Sequence, residues 1–211
     1  MTKYPELISS SWAELSQLDS RSRQIVESAR TCFAEVGFEE TTMVKIADVA
    51  GVGVATVYRR FGTKAAIVRY ALMAESVRVG MVLNDAMAKS SGPIGALAET
   101  FAAFVAEASA PRLLVRNLRE SSAAGEMAQF LGDDAFLAQG RTLMGHFIRY
   151  WQDRGELGDF DADVVAEIFV RLVMSFISNP HGILPLREPT AARDFAYEYL
   201  SPLLTPHRSQ R

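Results

Sequence analysis

Between residues 20 and 36 apolar side chains return every third or fourth place, at Ile25, Ala29, Cys32, Phe33 and Val36, and this spacing makes one stripe of an amphipathic helix. Gly37 stops the stripe. Thr41 and Thr42 then offer hydroxyls to the unpaired first-turn N–H groups of a short helix carrying Ile46, Val49 and Ala50, which Gly51 ends. The spacing predicts a third helix over about 54–61, with Val57 and Phe61 facing inward one turn apart. Gly62 and Thr63 break the pattern again before a long helix starting near Lys64. The remainder keeps a helical period, with breaks at 90–93, 109–111, 122–125, 132–134, 155–161 and 179–189 and after Pro202, and has no strand-like alternation bounded by turn dipeptides. The expected fold class is all-α: a flexible arm over 1–19, a three-helix helix-turn-helix domain over 20–67, a larger helical domain over 68–205 and a frayed tail over 206–211.

Composition narrows the setting. The 211 residues are 49% hydrophobic and 22% charged, ordinary for a globular chain, and the formal net charge is only -3. Residues 20–69 nevertheless carry a net +3 and the rest -6, so any attraction for a polyanion is local to the early segment. Cys32 is the sole cysteine, which excludes an intramolecular disulfide; its place on the helical stripe reads as a small buried hydrophobe. The first residues lack the pattern of a secretory signal. The most apolar later stretch, 164–177, is interrupted by Glu167 and Arg171 and falls short of the roughly 20 apolar residues of a membrane span. A cytoplasmic location is expected.

The informative stretch is TTMVKIADVAGVGVATVYRRFGTK, residues 41–64. Ala47, Gly51 and Val57 stand where two short helices meeting at a steep angle need a small contact residue, a turn residue free to adopt positive φ, and an apolar anchor. Ile46, Ala50 and Val52 supply the shared core, which leaves Gly53, Val54, Thr56, Tyr58, Arg59 and Arg60 outward. Together with Ala29, Phe33 and Gly37-Phe38, this order resembles the N-terminal domain of the tetracycline-repressor (TetR) family over residues 23–68. The resemblance implies that the third helix enters the major groove, with Gly53, Val54, Thr56, Tyr58, Arg59 and Arg60 on its DNA-facing side, while its neighbours grip backbone. Tyr58 and Lys64 are then phosphate contacts that give affinity, Thr42 a phosphate donor, and Lys45 a contact to phosphate or a base edge. Thr56 and Arg59 are the expected base readers, because a threonine methyl suits thymine and arginine pairs with guanine through two hydrogen bonds. Gly53 and Val54 depart from the family's usual capping serine and polar residue, which removes side-chain hydrogen bonds at that point.

Beyond residue 70 large apolar residues are spread over several helices. The resemblance implies an effector cavity here, with Phe101, Phe104, Asn117, Phe130, Met144, Phe147, Trp151 and Met174 as candidate contacts for a small, apolar ligand. It also implies a homodimer built from the last two long helices, with Phe169, Val173, Phe176, Phe195, Tyr199 and Leu203 as candidate interface residues. Within the last of these helices Ala192, Phe195, Ala196, Tyr199 and Leu203 make the expected stripe. Dimerisation would present two recognition helices to a palindromic operator in double-stranded DNA. Glu167 and Arg171, four residues apart, read as a helix-stabilising pair. Catalysis is disfavoured: there is no phosphate-cradling glycine loop or nucleophile elbow, and His146, His181 and His207 lack metal-ligand spacing. No metal or cofactor is expected. A helical protein-docking module is the remaining alternative, and steep salt dependence of binding separates it from a DNA binder.

Overall fold

The computed structural model describes residues 9–109, 134–178, 182–184 and 188–205. Among these residues the fold is all-α, with no strand. The helices are α1 (Ser9–Ser16), α2 (Ser20–Glu40), α3 (Met43–Ala50), α4 (Val54–Phe61), α5 (Lys64–Ala88), α6 (Pro93–Ser109), α7 (Asp134–Asp153), α8 (Ala162–Ser178) and α9 (Pro189–Phe195). The chain forms two compact units, and α5 begins in the first, which runs through Gly80, and ends in the second.

In the first unit α2 starts at Asp19, whose carboxylate accepts from the Ser22 N–H at 2.7 Å. Most of the stripe read from the sequence is core: Ile25, Ala29, Cys32 and Phe33 are fully buried and join Ile46, Val57 and Ile67, whereas Val36 is half-buried and Val49, expected on the inner stripe of α3, is exposed. The Phe33 and Phe38 rings meet edge to face at 4.9 Å, and Phe61 meets Tyr70 the same way at 5.7 Å. Burial pushes the Cys32 thiol up, against its role as a nucleophile. Gly37 bends α2 sharply at φ 87°, and helical turns resume to Glu40. The two threonines divide their work. Thr42 caps α3 by accepting from the Lys45 N–H at 3.1 Å, whereas Thr41 is buried and donates its hydroxyl to the Gly37 carbonyl at 2.7 Å. Only the exposed one is free to cap the next helix.

Residues 1–19 read from sequence as a loosely ordered arm, and α1 lies within them. It has no strong apolar stripe; the Glu14 carboxylate is held by Arg69 of α5 at 2.7 Å, a long-range pair that local periodicity does not reveal. Residues 1–8 lie outside the described set, as does the tail 206–211.

In the second unit α6, α7, α8 and α9 enclose a core that includes Leu97, Phe101, Phe147, Trp151 and Phe169. Asp161 caps α8, accepting from the N–H groups of Asp163 at 3.0 Å and Val164 at 3.1 Å. Glu167 accepts from Arg171 at 2.6 Å, the expected pair, and also from Arg141 of α7 at 3.0 Å. After Phe195 the last helix widens into a π-helical turn over Ala196–Leu200 and tightens to 3-10 over Ser201–Leu204. This shifts the inward stripe from the expected set. Ala192, Ala196, Leu200 and Leu204, at intervals of four, are buried, while Tyr199 is 60% exposed. No helix among the described residues is long and apolar enough to cross a membrane.

Candidate nucleic-acid interface

The site is built on the turn between α3 and α4. Gly51 ends α3 at φ 63°, ψ 37°, and its N–H returns to the carbonyls of Ala47 and Asp48, the left-handed cap that glycine reaches without a steric penalty. The Val52 N–H also reaches the Ala47 carbonyl, at 3.0 Å. From α2, Gln24 donates to the Ala50 carbonyl at 2.9 Å, so the free end of α3 is tied to the helix behind it. Gly53 then opens α4 in extended geometry without a side-chain cap, as its lack of a hydroxyl dictates.

Val57 and Phe61 anchor α4, and their burial fixes which positions turn outward. Ala55 and Arg59, one turn apart, lie opposite them; Tyr58, 52% exposed, and Val54, 37% exposed, flank one side, and Thr56 and Arg60 the other. The outward set that the spacing predicts omits Ala55, whose methyl group carries no charge or hydrogen bond. Its spacing from Arg59 marks it as central to the outer face, where it suits a thymine methyl or close approach of the helix backbone.

The cations differ in what holds them. Arg59 makes no ion pair among the described residues. Arg60 donates to Asp19 at 2.5 Å and to Ser22 at 2.9 Å. The Lys64 ammonium donates to the carbonyls of Phe38 at 2.8 Å, Thr41 at 3.2 Å and Glu39 at 3.3 Å, closing the C-terminal end of α2. Thr42 is exposed and Lys45 half-buried on α3. With its oxygen accepting the capping bond, the Thr42 hydroxyl hydrogen is still available to a phosphate.

In the second unit Phe101, Phe147 and Trp151 are buried and Phe104, Met144 and Met174 half-buried. Asn117 and Phe130 lie outside the described residues. Several candidates for a dimer contact are engaged within the unit's own core: Phe169 is buried, and Phe176 and Phe195 set their rings 5.9 Å and 5.8 Å from Phe101. Leu203 packs beside them, Val173 is half-buried, and Tyr199 faces out. The outer side of α8 instead shows Val164, 56% exposed, and Ile168, 40% exposed. A recess of about 480 Å³ opens in this unit at Lys89, Ser90, Pro93, Ile94 and Tyr197, and none of the expected effector contacts lines it.

Comparison with known proteins agrees with this geometry. Residues 25–71 match the model of the bacterial regulatory proteins of the tetR family. No curated protein matches the chain. Among solved structures, the fatty acid degradation regulator FadR from Bacillus halodurans is similar with a TM-score of 0.65 at 16% identity, over 92% of this chain and 100% of that one. A TetR transcription regulator from Haloarcula marismortui gives 0.66 at 19% identity, over 89% and 100%. The TetR family repressor AlkX from Dietzia, implicated in biodegradation of n-alkanes, gives 0.60 at 18% identity, over 86% and 98%. These identities speak for a shared fold. The capped turn at Gly51, the anchored α4 and the matched segment together identify residues 25–71 as the N-terminal domain found in the tetR family of bacterial regulatory proteins, which are DNA-binding regulators of transcription.

Proposed function

We propose that the protein is a homodimeric repressor in the cytoplasm that binds a palindromic operator and leaves it when a small, largely apolar effector binds. Residues 20–67 form the DNA-binding domain and 68–205 the effector-binding and dimerisation domain. The observation that carries the reading is the surface of α4. Val57 and Phe61 hold the helix by one side, so Ala55, Tyr58 and Arg59 project from the other, an arrangement suited to a major groove. Arg59 and Thr56 read base edges; Gly53 and Val54 let the start of α4 approach closely; Tyr58 and Thr42 hold phosphates, and Lys45 reaches a phosphate or a base edge. Lys64 serves chiefly through the helix end that it closes.

A single eight-residue helix makes few contacts, so two copies in successive turns of the duplex are needed for useful affinity. The exposed Val164 and Ile168 on α8, with Tyr199 at the surface near the C-terminus, supply apolar area for that association. For the effector, the apolar set Phe101, Phe104, Met144, Phe147 and Trp151 favours a ligand with little charge. Fatty acids and n-alkanes, the compounds named for FadR and AlkX, are largely apolar chains. Release follows if the effector stabilises a conformation in which the two α4 helices are wrongly spaced.

Selection of bound sites from random duplexes with the purified full chain tests the reading. A palindrome with half-sites one helical turn apart, about 34–36 Å, is the expected outcome. Failure to enrich any sequence, with no salt-sensitive affinity for duplex DNA, would overturn it.

A further inference from the structure

Asp19 lies ahead of the segment that matches the family and is shared between two tasks. One carboxylate oxygen caps α2 through the Ser22 N–H at 2.7 Å. The other accepts from the Arg60 guanidinium at 2.5 Å, and the same nitrogen of Arg60 reaches the Ser22 hydroxyl at 2.9 Å. Arg60 is thereby drawn back along the flank of α4 toward the start of α2, its side chain 29% exposed; both arginines stand at the surface, and its neighbour Arg59 makes no ion pair among the described residues. We propose that Asp19 is a positioning residue for DNA recognition: it withholds Arg60 from the duplex, so that Arg59 alone of the two adjacent arginines engages it.

The chemistry of the pair supports this. A guanidinium presents the same donors to a carboxylate as to a phosphate, so Asp19 and the DNA backbone are competitors for Arg60. An arginine released to the backbone would add attraction for every sequence alike, raising affinity and salt dependence without adding discrimination. The hydrogen bond from Arg60, followed by those from Ser22, holds the Asp19 carboxyl down at about 2, so the competitor is charged throughout the neutral range. The inference rests on the proposed DNA-binding face, and the two fail in different ways.

The test compares the full chain with Asp19→Asn, Arg60→Ala and the double variant, measuring affinity for the selected duplex and for a scrambled duplex across a salt series. Asparagine caps a helix about as well as aspartate, so Asp19→Asn removes the charge while keeping α2 capped, and a thermal melt checks that. Asp19→Asn is expected to bind the scrambled duplex roughly three- to tenfold more tightly, with a salt slope steeper by about one. The selected duplex should gain by a similar factor, so that discrimination between the two is unchanged. Arg60→Ala alone should change either affinity less than about twofold, and the double variant should lose the gain. The inference is overturned if Asp19→Asn leaves scrambled-site affinity and slope unchanged. It is also overturned if the gain persists in the double variant, because the effect is then loss of repulsion alone, or if Arg60→Ala by itself greatly weakens binding. A wild-type chain without salt-sensitive duplex binding would instead overturn the proposed function itself.

Discussion

At Gly51 the absence of a side chain decides how α3 turns into α4. The space where a Cβ would stand is open, so the obstacle to another residue is the backbone conformation, φ 63°, alone. Gly51→Ala should cost about 1 kcal/mol and Gly51→Asn less, since asparagine enters the left-handed region more readily; urea midpoints of the three proteins give the order. Gly53 is the reverse case. Its φ of -68° and ψ of 140° suit any residue, and a Cβ there meets nothing, so Gly53→Ser adds a capping acceptor and should raise stability by a few tenths of a kcal/mol, about 0.3. The same change places a hydroxyl at the entry of α4 and should alter the selected site more than the melting temperature. Lys64 sits between these cases. Because its ammonium closes three carbonyls, Lys64→Ala should lower unfolding stability by about 1–2 kcal/mol. Unchanged stability together with lost DNA affinity would return Lys64 to the role of a plain phosphate contact.

Among the helices, what could be read in advance was whatever chemistry is local. Gly37, Gly51 and Gly62 all have positive φ, and the Thr42 cap and the inward pair Val57 and Phe61 depend on neighbours within one or two turns. The features that escaped depend on distant partners. The Glu14–Arg69 pair that secures α1 joins residues on separate helices. The π-helical turn that brings Leu200 inward in place of Tyr199 answers to the packing of α9 against α6. Phe169, Phe176 and Phe195, read as interface residues, also pack on the unit's own core, and the smaller Val164 and Ile168 stand at the surface. Glu75 is another such feature: only 3% exposed on α5, it joins Arg30 of α2 and Arg78. Burial pushes its carboxyl up, but the hydrogen bonds from Arg78 and Arg30 outweigh this and hold it below the ordinary value of 4.5. A carboxyl depressed in the folded state stabilises fully above its unfolded pKa, and that contribution is lost as pH falls below it. Stability should therefore decline as pH drops from about 4.5, and Glu75→Ala should cost about 3–5 kcal/mol at neutral pH by leaving two guanidinium groups poorly paired. Denaturation at several pH values checks both: the gap between variant and wild type should narrow in acid.

For the whole molecule, the proposed repressor needs two copies of α4 joined, and the exposed side of α8 is the surface proposed to do it. Its inward side, Val165, Ala166, Phe169 and Val170, is buried, whereas Val164 and Ile168 stand one turn apart on the outside, followed by exposed Arg171 and Ser175. In a twofold interface each substitution is made twice and faces its own copy. Val164→Glu with Ile168→Glu would thus bring four carboxylates together where apolar contact is needed, while leaving the protomer's core untouched. Sedimentation velocity at micromolar concentration should show a monomer with unchanged helicity. Affinity for a palindrome should fall by about 100-fold or more, toward that of a half-site, because the second α4 no longer arrives already tethered. A dimer that survives the double substitution would place the interface elsewhere, with the surface at Tyr199 the next to test. A monomer that keeps full affinity would break the link between dimerisation and recognition on which the repressor reading depends.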